Sequence, residues 1–249
     1  MKLRLLFLLY ITVAFGSACK KDKTPEEKTS PIKLLSKVTR TNEDGEKIVT
    51  LYTYDEKNRL KTIKESYGTF NYVYNSDFLF EIESSGTSQG KVQMTYTDGR
   101  PTRALRKLAD KSRIYGYIYS EDKVTEIHAN ENGLVVNIDK ITYQDGNIIK
   151  KVSDYGQGVV TEECTYGNKK SRFINVRLKY VLGVESFDRY SVNELLESKV
   201  SFDNGALRQT NNSYTYDSDD YPITMTSSLI VDNVKAPQSK YVFEYIVAN

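Results

Sequence analysis

Two cysteines, one histidine and a few adjacent acids are the residues of this 249-residue chain that could do chemistry. His128 is the single histidine, so a histidine-dependent triad or a histidine-rich metal site would have to converge on it. It follows Ile127 beside the turn-forming stretch Asn130 to Gly133 and reads as a surface-loop residue. Cys164 stands two residues before Tyr166, which puts both on one face of a strand. A thiol on a buried face is a small core residue rather than a nucleophile. Glu162 with Glu163, and Asp219 with Asp220, are adjacent in sequence. Neighbouring residues point to opposite faces of a strand or face solvent in a turn, whereas catalytic carboxylates must converge. A Gly-rich phosphate loop, metal-ligand spacing and a Ca²⁺ loop of EF-hand type are absent. No catalytic residue, metal ligand or cofactor site is assigned, and no cofactor is expected.

The remaining cysteine belongs to a different chemistry. Lys2 and Arg4 form a positive start, Leu5 to Phe15 an apolar run of signal-peptide length, and Gly16-Ser17-Ala18 a small-residue cleavage site. Cys19 directly after them resembles the lipobox of bacterial lipoproteins, in which that cysteine is acylated and becomes the new N-terminus. Gly16 departs from the Leu usual in that motif, while Lys20-Lys21-Asp22 resembles the continuation found in Bacteroidetes-type lipoproteins. Residues 1–18 are expected to be a lipoprotein signal peptide and Cys19 the lipidation site. Residues 19–32, charged and carrying Pro25 and Pro31, then form a tether. Each buried methylene of an acyl chain contributes about 0.8 kcal/mol, so several chains on one residue anchor stably.

Without Lys2 and Arg4, the formal charge of +2 falls to neutral. A neutral body argues against nucleic acid, whose binding needs a concentrated basic face. Lys169, Lys170 and Arg172 are the densest basic cluster and read as a solvated loop. Twenty Tyr and nine Phe with only five Pro suit pleated, half-buried strands. Charges flank nearly every strand, which is unsuited to a lipid-facing wall.

The elements that would position any site come from a repeat. Apolar pairs recur at Tyr52/Tyr54, Tyr72/Tyr74, Met94/Tyr96, Tyr117/Tyr119, Ile141/Tyr143 and Cys164/Tyr166, then at Val200/Phe202, Tyr214/Tyr216 and Phe243/Tyr245. From Tyr54 to Tyr166 the spacing is twenty to twenty-four residues, enough for two strands and two tight turns. Thr53, Thr95, Thr142, Thr165, Ser201 and Thr215 alternate with these anchors, so one face is aromatic and buried and the other wet. Asp98-Gly99, Asp145-Gly146 and Asn204-Gly205 read as type I′ turns. Return strands open with apolar residues three apart: Leu60/Ile63, Leu79/Ile82, Val124/Ile127 and Ile149/Val152. That spacing demands a bulge or strong twist, either of which curls the sheet.

Tyr52, Tyr54, Asp55, Arg59 and Leu60 resemble the tyrosine-aspartate repeats of Rhs and teneurin-type shells. Tyr214-Thr215-Tyr216-Asp217-Ser218-Asp219-Asp220-Tyr221-Pro222 is similar to a segment of small Bacteroidetes lipoproteins of unknown function with a porin-like β fold. The expected fold is all-β: a curled antiparallel β-meander, barrel-like but water-soluble, over residues 33–249. The repeat lapses within 167–199. There, Ile174 to Leu182 fits either a strand or a helix, and Ser191 with Glu194 matches a helix capping box. The function expected is that of a lipid-anchored, monomeric outer-membrane lipoprotein, a non-enzymatic scaffold or binding module that meets a glycan or envelope protein. The alternative is a carboxylate-dependent polysaccharide-active enzyme.

Overall fold

A computed structural model describes residues 31–87, 89–108, 111–176 and 189–248. The leader, Cys19 and most of the tether lie outside the described residues. From Pro31 onward the chain forms one compact unit. Its strands are β1 (Lys33–Thr41), β2 (Lys47–Tyr54), β3 (Leu60–Glu65), β4 (Gly68–Asn75), β5 (Phe78–Gly86) and β6 (Gly90–Thr97). They continue with β7 (Arg100–Leu108), β8 (Ser112–Ser120), β9 (Lys123–Glu131), β10 (Leu134–Gln144), β11 (Asn147–Asp154) and β12 (Val159–Lys170). The last are β13 (Asn193–Phe202), β14 (Leu207–Tyr216), β15 (Pro222–Val231), the two-residue β16 (Val234–Lys235) and β17 (Ser239–Val247). No α-helix occurs among the described residues.

Every neighbouring pair is antiparallel, and β1 pairs with both β2 and β17, so sixteen strands close into a barrel with β16 as a stub on β15. Closure leaves no main edge open to another chain. The chain enters at Lys33 and leaves at Val247 on the same rim, where these two residues are register partners. We term this the seam rim. The turns after Tyr54, Tyr74, Tyr96, Tyr119, Tyr143 and Tyr216 lie there too.

Period 2 decides what each face holds. Leu35, Tyr52, Leu60, Ile63, Ile82, Met94, Ala104, Tyr117 and Ile127 are buried in one inward cluster, with Tyr54, Tyr74, Tyr96, Tyr143 and Cys164 packed against it. Alternate residues face outward and pair with one another: Lys37 with Glu244, Lys91 with Glu83 and Lys150 with Glu163. Such an outer wall would cost several kcal/mol per charge at a bilayer midplane, about 2 to 4 for Lys or Arg. The barrel is porin-like in architecture and water-facing in its surface chemistry.

The expected bulges occur. Tyr54 pairs with Leu60 while Thr53 pairs with Thr62, which leaves Lys61 extra and lets Leu60 and Ile63 share the inner face. The same skip follows Leu79, Pro101, Val124 and Pro222. In β11 the inward residues are Ile148 and Lys151, not Ile149 and Val152, because the two-residue Asp145-Gly146 turn opens the return strand one residue earlier. Asp98, Gly99, Asp145 and Gly146 all have positive φ, as type I′ turns require. Asn204 does not, and Phe202 N donates to Ala206 O across a longer turn. That turn joins β13 to β14 at the rim opposite the seam, so Val200/Phe202 is not an anchor pair of the seam-rim repeat.

At the seam rim each hairpin is fastened to the one before it by a tyrosine hydroxyl. Tyr54 donates to Leu35 O, Tyr74 to Leu60 O, Tyr96 to Leu79 O, Tyr119 to Pro101 O and Tyr166 to Ile148 O, at 2.6 to 2.9 Å. Tyr214 reaches Leu195 O and Tyr245 reaches Pro222 O in the same way. The acceptor is in each case the residue before a bulge, where the ladder leaves a carbonyl to be satisfied.

Candidate functional site

The connector between β12 and β13 supplies what the bare barrel lacks, residues that reach across its seam rim. Residues 172–175 form consecutive turns rather than the strand or helix that their alternation allowed, with Ile174 N on Ser171 O and Val176 N on Phe173 O. The remainder of that alternating stretch lies outside the described residues. Phe173 meets Tyr52 of β2 edge-on, ring centroids 6.3 Å apart, and Asn175 Nδ2 donates to Lys33 O of β1. On the returning side, Ser191 Oγ accepts from Ile148 N of β11 and Val192 packs over Gly146. β2 and β10 are on opposite walls of the ring, so the two described ends of the connector meet opposite sides of the mouth.

Between those ends lies a cavity of about 490 Å³ whose lining includes Lys123, Tyr143, Phe173, Arg189, Tyr190 and Asp122. The volume falls in the range of small-molecule sites, roughly 300 to 1,000 Å³, and aromatic walls with a few charges are what such sites offer. Lys123 Nζ stands 5.5 Å from the Tyr143 ring centroid and the Arg189 guanidinium 5.7 Å from that of Phe173. Asp122 is paired with Arg100, and Lys123 and Arg189 are the cations among the lining residues.

Further in, the inner wall changes character. From β2 to β9 it is apolar except near the rim opposite the seam, where Glu65, Arg106, Arg113 and Glu131 stand, whereas β10 to β13 present Asp139, Lys151, Ser153, Glu162 and Ser198 along the wall. Lys151 stands directly across the ladder from Glu162. Ser198 Oγ donates to Glu162 Oε1 at 2.6 Å. Burial pushes the Glu162 carboxyl above the usual range, against the opposing pull of the Ser198 hydroxyl and the Lys151 charge. Burial, and next the Glu162 charge, push the Cys164 thiol up to about 12. A thiol so placed stays protonated at neutral pH and is no nucleophile.

Other expected residues land differently. His128 is on β9 rather than in a loop; it points outward, its Nε2 3.0 Å from Glu126 Oε2. Glu162 faces in and Glu163 out, as alternation requires. Asp219 is half-buried, not solvent-facing: with Asp217 it clamps Lys33 Nζ at 2.6 and 2.8 Å, while Asp220 pairs with Lys169. The basic cluster is built into the rim instead of a solvated loop. Lys170 lies 4.4 Å from the Tyr221 ring centroid, and Arg172 lies over Phe173 and Phe243. Ser191 and Glu194 start no helix; Glu194 is a buried β13 residue whose carboxylate accepts from Tyr216. Glu162 was recoverable from sequence, since it shares the parity of Cys164 and Tyr166. Phe173 and Arg189 carried no signal that would place them at the mouth.

The barrel is similar to the crystal structure of a porin-like protein from Bacteroides uniformis, at 13% identity and a TM-score of 0.59, over 85% of this chain and 96% of that one. It is also similar to a porin-like protein from Bacteroides vulgatus, at 12% identity and a TM-score of 0.55, over 86% and 99% of the two chains. These likenesses show the fold. No protein-family model matches the sequence, and neither does any curated protein.

Proposed function

We propose that this chain is a lipid-anchored cell-envelope protein whose barrel is a non-enzymatic binding module. The observation that carries the reading is the seam-rim cavity, which combines Tyr143, Phe173 and Tyr190 with two cations and places no histidine or reactive thiol among its walls. Aromatic faces with cations suit a ligand with an apolar side and polar or acidic substituents, such as a sugar unit of an envelope glycan. The acylated Cys19 would hold the module at the outer membrane.

The alternative, a carboxylate-dependent polysaccharide-active enzyme, draws on Glu162, whose raised pKa suits a general acid, and on Asp139 of the same wall. Register sets them two strands and one pleat step apart, so their Cα atoms are roughly 12 Å from each other by ordinary sheet spacing. Paired glycosidase carboxyls stand about 5 to 9.5 Å apart, so from such Cα positions both side chains would have to reach toward each other. Glu162 is also turned toward Ser198 of β13, away from β10. This geometry favours binding over hydrolysis.

A glycan array and envelope-extract capture with the full chain, run beside Phe173→Ala and Arg189→Ala, test the reading. Binding that both variants lose, without turnover of a broad glycan panel, is the expected result. Turnover that vanishes in Glu162→Gln would replace the binding module with the enzyme.

A further inference from the structure

At the opposite rim, the inner wall of β6 to β9 carries a second cluster. One level is filled by Met94, Ala104, Tyr115 and Ala129, all buried. Two residues closer to that rim the same face presents Val92, Arg106, Arg113 and Glu131. Arg106 and Arg113 are direct cross-strand partners, and like charges so placed destabilise a ladder. Glu131 answers one of them, accepting from Arg113 Nε at 2.7 Å. The Arg106 side chain makes no hydrogen bond or ion pair among the described residues. The inward acids Glu65, Asp139 and Glu162 lie on β3, β10 and β12, buried Glu194 on β13 is held by Tyr216, and none pairs with Arg106.

We propose that Arg106 and Arg113 form an anion site on the inner wall, which takes a carboxylate or phosphate group that enters from the rim opposite the seam. Both side chains are half-buried, so an oxyanion there is held in partly desolvated surroundings where guanidinium contacts are strong. The planar forks of two adjacent guanidiniums match the oxygen pairs of either group. Glu131 Oε1 takes the Nε and Nη2 edge of Arg113, while register sets Arg106 directly opposite on the neighbouring strand. An anion between them would screen the like charges that register sets opposite each other. This site stands apart from the seam-rim cavity and does not depend on it.

The full chain is titrated with sodium phosphate, and separately with sodium glucuronate, against sodium chloride at matched ionic strength, read by calorimetry and by the thermal midpoint. Saturable binding of at least one probe is expected, and Arg106→Gln should weaken it by about tenfold or more. In chloride alone, Arg106→Gln should melt higher than wild type because the like-charge contact is gone. Arg103→Gln, on the outer face of the same strand, should leave the titration unchanged. Phosphate without glucuronate assigns phosphate, and the reverse assigns carboxylate. Saturable binding that survives Arg106→Gln, or no saturable binding of either probe, overturns the proposal. If Arg106→Gln fails to fold, Arg106→Lys, which keeps the charge without the fork, must still weaken binding severalfold, and unchanged affinity there overturns it.

Discussion

The Tyr74 hydroxyl donates to the Leu60 carbonyl at 2.9 Å, while Arg59, the residue before Leu60, lies 4.2 Å above the same ring. One side chain thus satisfies the backbone at a bulge and is capped by that bulge's neighbour. Phe78 over Tyr96, Arg100 over Tyr119, Lys123 over Tyr143 and Tyr221 over Tyr245 repeat the capping with different chemistry. The cap tolerates cation or aromatic, while Tyr74, Tyr96, Tyr119 and Tyr245 each donate to a backbone carbonyl. The Tyr74 hydroxyl is pushed up to about 12, first by burial, so it remains a donor at any physiological pH.

Removal of the hydroxyl alone should therefore be costly. Tyr74→Phe leaves the carbonyl of Leu60, itself 2% exposed, without its donor, which costs about 1 to 3 kcal/mol. Tyr74→Ala adds a cavity and should reach about 3 to 5 kcal/mol, whereas Thr95→Ala on the outer face should stay under about 0.5. Urea midpoints measure all three. Equal losses for Tyr74→Phe and Thr95→Ala would mean that the tyrosines pack without fastening.

The tyrosine period, the bulges and two of the turn types could be read from the sequence because each is local: parity needs two residues and a hairpin turn needs four. What could not be read depends on register between distant strands. Lys33 meets Asp217 across 184 residues, and no spacing announces it. Arg106 meets Arg113 only once the turn between β7 and β8 is fixed. Ser191 and Glu194 carry a helix-start pattern, yet pairing of β13 with β12 overrides that local preference.

Glu162 makes stability depend on pH with a defined sign. Its folded pKa lies above the unfolded value, so the folded state holds the proton more tightly and stability falls as pH rises from the ordinary carboxylate range through the folded pKa. Glu162→Gln should flatten that limb and stabilise the barrel at neutral pH. Urea midpoints between about pH 4 and pH 8 provide the comparison. A wild-type profile that rises over that interval, with Gln no different, would contradict the burial of this carboxyl.

Cys164 should resist alkylation. With its thiol pushed up to about 12, iodoacetamide labelling of the native chain at neutral pH should be slower than labelling in urea by at least about a hundredfold. Mass spectrometry of the labelled peptide gives the ratio. Comparable rates would place the thiol outside the packed wall.

Cys19→Ser tests the anchor. The variant should lose its acyl chains and move from the membrane to the soluble fraction, as detergent partitioning would show. An unmodified, soluble wild type would remove the lipoprotein assignment and leave the barrel's architecture untouched.

Pairing of β1 with β17 has a consequence for how the barrel comes into being. The ring is closed by contacts such as Leu35 with Tyr245 and Val38 with Phe243, between the first and last strands of the whole meander. Hairpins can form one after another as the chain is delivered, because each needs only its neighbour. Closure must wait for the final strand and carries the loop-entropy cost of the longest separation in the domain. Until then β1 and the newest strand are both naked edges. A chain stopped before Ser239 would keep them permanently, as a polymerising ribbon rather than a smaller barrel.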